Sequence, residues 1–386
     1  MYYAPNSLEV DEDIHVSVRS IWMLQVYASE AYVNGDIVDS AIDALDDELP
    51  ILVVSMLCDA VEKRLHHELT VGFTVAQAEL TRVRGRINLL ETHRHRLLDK
   101  GRIACQFNEL SYDNDVNRYL RHALEHSVRL LRAVPSAQAT SLAFRCRRLI
   151  QRLHDIGIPT AYSVNRPQGR LHSRDARPVN IAHLLLDLAI PSSGDGTRAF
   201  TRRQFSQHEL RTLFEKALKG IYDHHLTPKG WTVTGGETLY WDTEPHPLLP
   251  MMKTDIILRS PTGHITVIDA KFTSMYTRKH RSGTLSLKSS HLYQLYAYLR
   301  TQEHRGPEWA HARGVLAYAT HKGLTQETEQ HFSFDGHSIS TAAMGVELTT
   351  KEIRQRALAP AGSFSGIYDP PGTDPFQKFS HSQICT

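Results

Sequence analysis

Two carboxylates and one ammonium group occur close together in the second half of the chain. Asp255 begins one short apolar run and Asp269 ends another, and Ser, Pro, Thr and Gly at positions 260–263 separate the two runs. Short β-branched runs joined by a Pro/Gly turn predict a β-hairpin. Lys271 lies two residues after Asp269, and because side chains alternate along a strand, both should point to one face. The pattern therefore predicts that the three charged groups converge.

A pair of acids in this arrangement predicts a site for a divalent cation. Carboxylates that are brought together repel each other unless a cation lies between them. Hard oxygen ligands favour Mg²⁺, with Mn²⁺ as an alternative, and Mg²⁺ leaves coordination positions for water and phosphate oxygens. An adjacent lysine can orient or deprotonate a water molecule, or neutralise charge that develops on phosphorus. Together these groups predict the hydrolysis of a phosphodiester.

Two predicted helices flank the hairpin and carry further polar residues. The segment 289–300 places Gln294 and Tyr298 four residues apart, and therefore on one helical face. The segment 208–226 is amphipathic, which predicts a second helix, and Glu215 lies within it. The apolar stripe of that helix consists of Leu210, Phe214, Leu218 and Ile221.

The order of these elements resembles the PD-(D/E)xK nuclease signature, with Thr254 in place of its proline, followed by Asp255 and then by VIDAK at 267–271. Gln294 and Tyr298 resemble the QxxxY element of RecB-like nucleases. The resemblance implies a restriction-endonuclease-like core, in which a mixed sheet is flanked by helices. The implied site residues are Asp255, Asp269, Glu215 and the carbonyl of Ala270 as metal ligands, Lys271 beside the attacking water, and Gln294 and Tyr298 as supports for the site or the DNA.

Four stretches narrow the resemblance to the McrC family, the nuclease subunits of McrBC restriction systems. LLPMMKTDI at 248–256 is similar to LLPxMxTDI of that family, and SHLYQLYAYL at 290–299 to its QNLYQLMNYL. RGRIN at 84–88 and NELSYDN at 108–114 also agree, so that the likeness runs from about Val18 to Tyr318. The resemblance implies cutting of double-stranded DNA in response to 5-methylcytosine, together with a McrB-like AAA+ GTPase hexamer whose GTP hydrolysis the chain stimulates.

The resemblance also implies an α/β protein with two domains and a tail. Residues 1–195 would form a mixed α+β domain that docks on the GTPase, and residues 196–358 the nuclease domain. The boundary is placed at the Pro, Ser, Gly and Asp cluster of 191–196, and residues 359–386 are expected to be irregular because they are rich in Pro, Gly and Ser. The chain contains no GxxxxGK[ST] loop, so we expect it to bind no nucleotide itself.

A basic loop follows the hairpin and is the best candidate for contacts with DNA phosphates. Arg278, Lys279 and Arg281 lie within about ten residues of Lys271. The arginines spread over 82–102 are a weaker candidate, because arginines that are spread over strands and turns are more often solvated or salt-bridged side chains.

Composition sets broad limits on the class of protein. The chain has 386 residues, 41% hydrophobic and 22% charged, with a formal net charge of +2, which is typical of a globular protein with one large or two ordinary cores. Its four cysteines show no CxxC pairing, which argues against a zinc ribbon or a disulfide framework. The polar amino terminus and the shortness of the apolar runs predict a cytoplasmic protein outside the membrane.

Two other functions remain open at the level of sequence. A RecB-like repair nuclease that works without a GTPase shares the QxxxY element, although RGRIN and NELSYDN favour the McrC family. A non-catalytic adaptor that only activates the GTPase would be expected to have lost acids or the lysine, whereas Glu215, Asp255, Asp269 and Lys271 are all present.

Overall fold

The computed structural model describes residues 16–44, 48–66, 69–132, 134, 136–160, 164–169, 171–188, 206–244, 246–278, 285–320 and 330–362. The described residues divide into an amino-terminal unit, 17–188, and a carboxy-terminal unit, 206–362. The boundary predicted between residues 195 and 196 lies outside the described ranges. Within those ranges, every helix is too short or too polar to cross a lipid bilayer.

The amino-terminal unit combines helices with a small antiparallel sheet. Its helices are α1 (Val18–Tyr27), α2 (Glu30–Val33), α3 (Asp39–Ala44), α4 (Leu49–His66), α5 (Leu89–Arg94), α6 (Asp115–Arg132), α7 (Ala137–Asp155) and α8 (Ser173–Asp187), with a 3₁₀ turn at Leu98–Lys100. Its strands are β1 (Gly72–Leu80), β2 (Arg86–Ile87) and β3 (Ile103–Ser111), in the order β1-β3-β2. Helices α4, α6, α7 and α8 pack against one another and form the core.

Four polar side chains form a network inside this helical core. The guanidinium of Arg64 donates to Asn117 Oδ1 at 3.0 Å and forms an ion pair with Asp175, which also accepts a hydrogen bond from the Thr70 hydroxyl. Three of these four side chains are buried, so each charge and amide needs the others as partners. The network therefore ties α4, α6 and α8 together.

The small sheet presents apolar side chains to solvent on one face. Phe73 and Leu110 lie opposite each other in the β1–β3 register and are 75% and 61% exposed, and Val75, two residues along, is 60% exposed.

Gly85 precedes β2 with φ +71°, and a Cβ there would lie 2.4 Å from the Gln106 carbonyl oxygen, so only glycine fits.

The carboxy-terminal unit is built on a six-stranded mixed sheet. Its strands are β4 (Thr232–Gly235), β5 (Thr238–Leu239), β6 (Met252–Lys253), β7 (Ile256–Arg259), β8 (Ile265–Lys271), β9 (Tyr276–Arg278), β10 (Leu285–Leu287), β11 (Arg313–Thr320), β12 (His331–Phe334) and β13 (His337–Gly345). The main sheet has the order β12-β13-β11-β8-β7-β4, with β8, β11 and β13 parallel and the other pairs antiparallel. Strands β5 with β6 and β9 with β10 form two small ribbons.

Helices cover this sheet. They are α9 (Gln207–Leu226), α10 (Ser289–Arg300), α11 (Pro307–Ala310) and α12 (Thr350–Gly362), with 3₁₀ turns at Thr227–Lys229 and Glu303–Arg305. All seven residues of β8 are buried, as expected for a central strand covered on both faces. The predicted mixed sheet flanked by helices is therefore confirmed.

The predicted irregular tail begins too early. Helix α12 continues to Gly362, four residues past the predicted end of the nuclease domain, despite Pro360 inside it. Ile353, Ala357 and Ala361 are buried at a spacing of four, so packing against β13 and α9 holds this segment helical. Residues 363–386 lie outside the described ranges.

Candidate active site

The predicted hairpin brings the two acids together. Strands β7 and β8 are antiparallel, and Ile256 pairs with Ile268, so that Asp255, one residue earlier, lies opposite Asp269. The backbone N–H of Ala270 donates to Asp255 Oδ2 at 2.8 Å, which fixes the orientation of that carboxylate. The expected convergence of the carboxylates therefore follows directly from the strand register.

Thr254, the residue before Asp255, is held by two hydrogen bonds. Both the backbone N–H and the hydroxyl of Thr254 donate to the carbonyl oxygen of Glu237, at 3.0 and 3.2 Å. Proline has neither donor, so threonine fastens the start of β7 in a way that proline cannot.

Burial disfavours the ionised form of both aspartates. The side chain of Asp255 is 12% exposed and that of Asp269 only 1%. Burial, followed by the negative charge of Asp269, raises the pKa of Asp255 to about 6. Burial also raises the pKa of Asp269, although the Lys271 ammonium opposes that change. The pair is thus a buried site of negative charge that attracts a cation.

Lys271 is the nearest cation to Asp269. Its Nζ lies 2.7 Å from Asp269 Oδ2 and donates to Gln294 Oε1 at 2.9 Å. Oδ2 is thus satisfied by an ion pair, whereas Asp269 Oδ1 has no hydrogen-bond partner in the described part of the chain. A buried carboxylate oxygen without a partner is costly, and a bound cation would satisfy it.

Helix α10 supplies a hydrogen-bonded chain that holds the lysine. Gln294 accepts from Lys271 through Oε1 and donates from Nε2 to the Tyr298 hydroxyl at 2.7 Å. Tyr298 in turn donates to the carbonyl oxygen of Lys253 at 2.9 Å, on the strand that leads into Asp255. The two residues predicted to share a helical face thus connect both halves of the site.

Helix α9 brings Glu215 to the site, together with an arginine that the sequence analysis missed. Arg211 Nε donates to Glu215 Oε1 at 2.8 Å, and its Nη2 lies 3.7 Å from Asp255 Oδ1. Burial and the charge of Asp255 raise the pKa of Glu215. The spacing of four residues before Glu215 on an amphipathic helix was the signal that could have found Arg211.

A second missed residue is His291, one turn before Gln294 on α10. Its Nδ1 lies 2.9 Å from the hydroxyl of Tyr318, and Tyr318 pairs with Lys271 in the β8–β11 register. Burial, followed by the charge of Lys271, lowers the pKa of His291 to about 4, so the imidazole is neutral near pH 7. The histidine borders the cluster without adding charge to it.

The predicted DNA-contacting residues are described only in part. Arg278 ends β9, and the structure describes its backbone but not its side chain. Lys279 and Arg281 lie outside the described ranges.

The residues at this site fit a divalent cation of the Mg²⁺ type. Asp255 and Asp269 offer carboxylate oxygens as ligands from opposite sides of the hairpin, and Asp269 Oδ1 has no hydrogen-bond partner among the residues that the structure describes. Glu215 is close enough to Asp255 to respond to its charge. Among the described residues, however, Glu215, Asp255 and Asp269 do not form a group in which one carboxylate oxygen from each lies within 4.8 Å of the other two. The two aspartates therefore suit a cation by their chemistry, while the three acids do not converge within that distance.

Fold and site together define a mixed α/β protein with a buried carboxylate and lysine cluster on its central strands. The chain belongs to the family described as McrBC 5-methylcytosine restriction system component, whose sequence model matches residues 21–318. The match extends over both units, as the resemblance had predicted.

Three individual matches are as follows. The Type IV methyl-directed restriction enzyme EcoKMcrBC of Escherichia coli strain K12 is 28% identical over 225 residues, which cover 56% of this chain and 62% of the relative. The chain thus matches less than two thirds of that relative's length. A solved assembly of Thermococcus gammatolerans McrB AAA+ hexamers with bound McrC matches with a TM-score of 0.47 and 19% identity, over 89% of this chain and 76% of the other. A second T. gammatolerans McrBC complex matches with a TM-score of 0.32 and 16% identity, over 53% and 58%.

Proposed function

We propose that this chain is the DNA-cutting subunit of a restriction system that responds to 5-methylcytosine. The observation that carries the proposal is the buried cluster of Asp255, Asp269 and Lys271, in a chain of the McrBC family. The proposal includes the PD-(D/E)xK core, since a strand register that places two acids opposite each other with a lysine two residues on supports it.

In this proposal Asp255 and Asp269 hold Mg²⁺ or Mn²⁺, with help from Glu215 and the carbonyl of Ala270. The bound cation would supply a Lewis acid for the scissile phosphate and lower the pKa of a water molecule. Lys271, held by Gln294, would orient the attacking water or neutralise the charge that grows on the phosphate oxygens. Tyr298 keeps Gln294 in the orientation that accepts from the lysine.

Double-stranded DNA is the proposed substrate. Arg278, Lys279 and Arg281 follow the β8 strand and would contact its phosphates, which are bound by lysine and arginine largely regardless of base sequence. The choice of methylated sites is assigned to the partner.

The proposed partner is a McrB-like AAA+ GTPase hexamer. The curated relative is named as an McrBC enzyme, and the present chain has no phosphate-binding loop of its own. The exposed pair Phe73 and Leu110, with Val75 beside it, offers an apolar surface on the amino-terminal unit for docking. Stimulation of GTP hydrolysis would then follow from assembly.

The test is cleavage of methylated and unmethylated plasmid with Mg²⁺ and GTP, by the chain alone and with the AAA+ GTPase encoded beside its gene. We expect cleavage only with partner, GTP and methylation together. Asp269→Ala should abolish it, by at least about 10³-fold because the metal and its activated water are lost together, while partner binding persists.

Asp223→Asn is the matched control, since Asp223 is an acid of the same unit that pairs with Lys219 on α9. It should cut like the wild type. Cleavage by the chain alone, indifferent to GTP, would point instead to a RecB-like repair nuclease. GTPase stimulation with no cleavage under any condition would favour the adaptor.

A further inference from the structure

Arg211 occupies an unusual position on α9. The helix begins with a capping box, in which Ser206 and Glu209 bond each other's backbone, so the start of the helix is firmly set. Arg211 follows in the next turn, and its guanidinium reaches two acids on different elements, Glu215 on its own helix at 2.8 Å and Asp255 before β7 at 3.7 Å.

A second ion pair on α9 shows how the contacts of Arg211 differ from those of an ordinary surface pair. Lys219 pairs with Asp223, four residues on, at 2.6 Å, and such helical pairs contribute only a few tenths of a kcal/mol. Arg211 makes the same kind of pair with Glu215 but also faces Asp255, whose side chain is 12% exposed. Of these two cations, the arginine alone reaches a residue of the site outside its own helix.

Arg211 contributes one of the positive charges that balance the acids of the cluster in the described part of the chain. Three carboxylates, Glu215, Asp255 and Asp269, are accompanied by two cations, Lys271 and Arg211. The Lys271 side chain is 6% exposed and is held by Gln294, so it cannot leave easily. The Arg211 side chain is 44% exposed and can turn towards solvent.

We infer that Arg211 is a displaceable counter-ion, whose guanidinium lies between Glu215 and Asp255 and must give way when a divalent cation binds those carboxylates. The inference rests on the proposed metal site. It also accounts for the separation of the three acids, because the hydrogen bond from the Arg211 guanidinium holds the Glu215 carboxylate away from the two aspartates. Arg211 is therefore a positioning residue that sets the affinity for the metal.

The test is the affinity of the full-length chain for Ca²⁺, measured by isothermal titration calorimetry without DNA. Ca²⁺ takes oxygen ligands, and at pH 8 the proton competes little with it, since the pKa of Asp255 is about 6. Arg211→Gln should bind Ca²⁺ about tenfold more tightly than the wild type, because a cation at about 4 Å no longer opposes it.

Two further variants make the result specific to this position. Lys219→Gln, the matched control on the same helix, should leave the dissociation constant unchanged. Arg211→Lys keeps a positive charge and should lie closer to the wild type than to Arg211→Gln. Equal or weaker binding by Arg211→Gln than by the wild type would overturn the inference and leave the metal site standing. Absence of Ca²⁺ binding by every variant, wild type included, would overturn both.

Discussion

At the scale of single residues, the buried carboxylate of Asp255 suits a metal site but lowers the stability of the metal-free protein. The rise of its pKa from 3.8 to about 6 means that the folded protein holds a proton that the unfolded chain releases. Stability therefore falls as the pH rises from about 4 to 6, and above pH 6 the buried charge costs up to about 3 kcal/mol. A metal ion that binds this carboxylate would recover that free energy.

Replacing this acid should stabilise the metal-free protein while it removes a metal ligand. Asp255→Asn keeps an oxygen for the Ala270 N–H but has no charge to bury. At pH 8 without divalent cations, we expect its free energy of unfolding to be about 1–2 kcal/mol above that of the wild type, seen as a thermal midpoint several degrees higher.

The pH dependence provides the control for this prediction. At pH 4 the wild-type carboxyl is protonated as well, so the two midpoints should converge. A variant that is less stable than the wild type at pH 8 would show that contacts of the ionised carboxylate, such as that with Arg211, outweigh its burial.

At the scale of elements, the close packing of α10 on the sheet positions Gln294. Gly314 on β11 is the point of closest approach, since a Cβ there would lie 2.8 Å from Leu295 Cδ2 and 3.1 Å from Leu299 Cδ1. Both leucines are fully buried, so they have little room to yield. The glycine therefore sets how near the helix, and with it Gln294, comes to Lys271.

Gly314→Ala should push α10 outward and loosen the bond between Gln294 and Lys271. Overpacking of this kind typically costs about 1–3 kcal/mol. We expect cleavage in the reconstituted system to fall by more than about tenfold, since small misplacements of catalytic groups have large effects on rate, while the variant still folds.

The matched control is Gly235→Ala on β4, where the added Cβ would be crowded by the Lys219 side chain alone, at 2.9 Å, and would lie at an ordinary van der Waals distance of 3.7 Å from the Asp255 carbonyl oxygen. That side chain is 37% exposed and can move aside, so stability and cleavage should stay near the wild type. Equal activity of the two variants would show that α10 tolerates a shift without loss of function.

At the scale of the whole molecule, the two units divide the proposed work. The carboxy-terminal unit contains the charged site, whereas the amino-terminal unit has apolar side chains on the exposed face of a small sheet. Large exposed apolar residues in such a group are typical of a surface that another protein covers. Cutting and docking can therefore be separated by mutation.

Phe73→Asp should abolish association with the AAA+ GTPase, and with it the GTP-dependent cleavage, because a charge would replace an aromatic ring at the interface. The side chain is 75% exposed, so the thermal midpoint should change by no more than about 2–3 °C. Pull-down and plasmid cleavage measure the two effects.

Phe144→Asp is the control, since Phe144 is also exposed, at 62%, but lies on α7 of the same unit and away from the strands of the sheet. It should retain partner binding. Normal binding by Phe73→Asp would place the docking surface elsewhere on the chain.

The sequence by itself determined the parts of this protein that depend on local spacing. The alternation along β8 put Asp269 and Lys271 on one face, the Pro/Gly turn fixed the hairpin that sets Asp255 opposite, and the four-residue spacing put Gln294 and Tyr298 together. These relations follow from the periods of strands and helices, which the order of residues encodes directly.

Tertiary structure alone decided which distant groups meet. The bond between Lys271 and Gln294 and the approach of Arg211 to Asp255 both depend on how α9 and α10 pack against the sheet. Packing likewise kept α12 helical through a stretch of Pro and Gly that local preference predicts to be irregular. Such contacts are set by the shapes of buried surfaces far apart in the chain, and no local pattern specifies them.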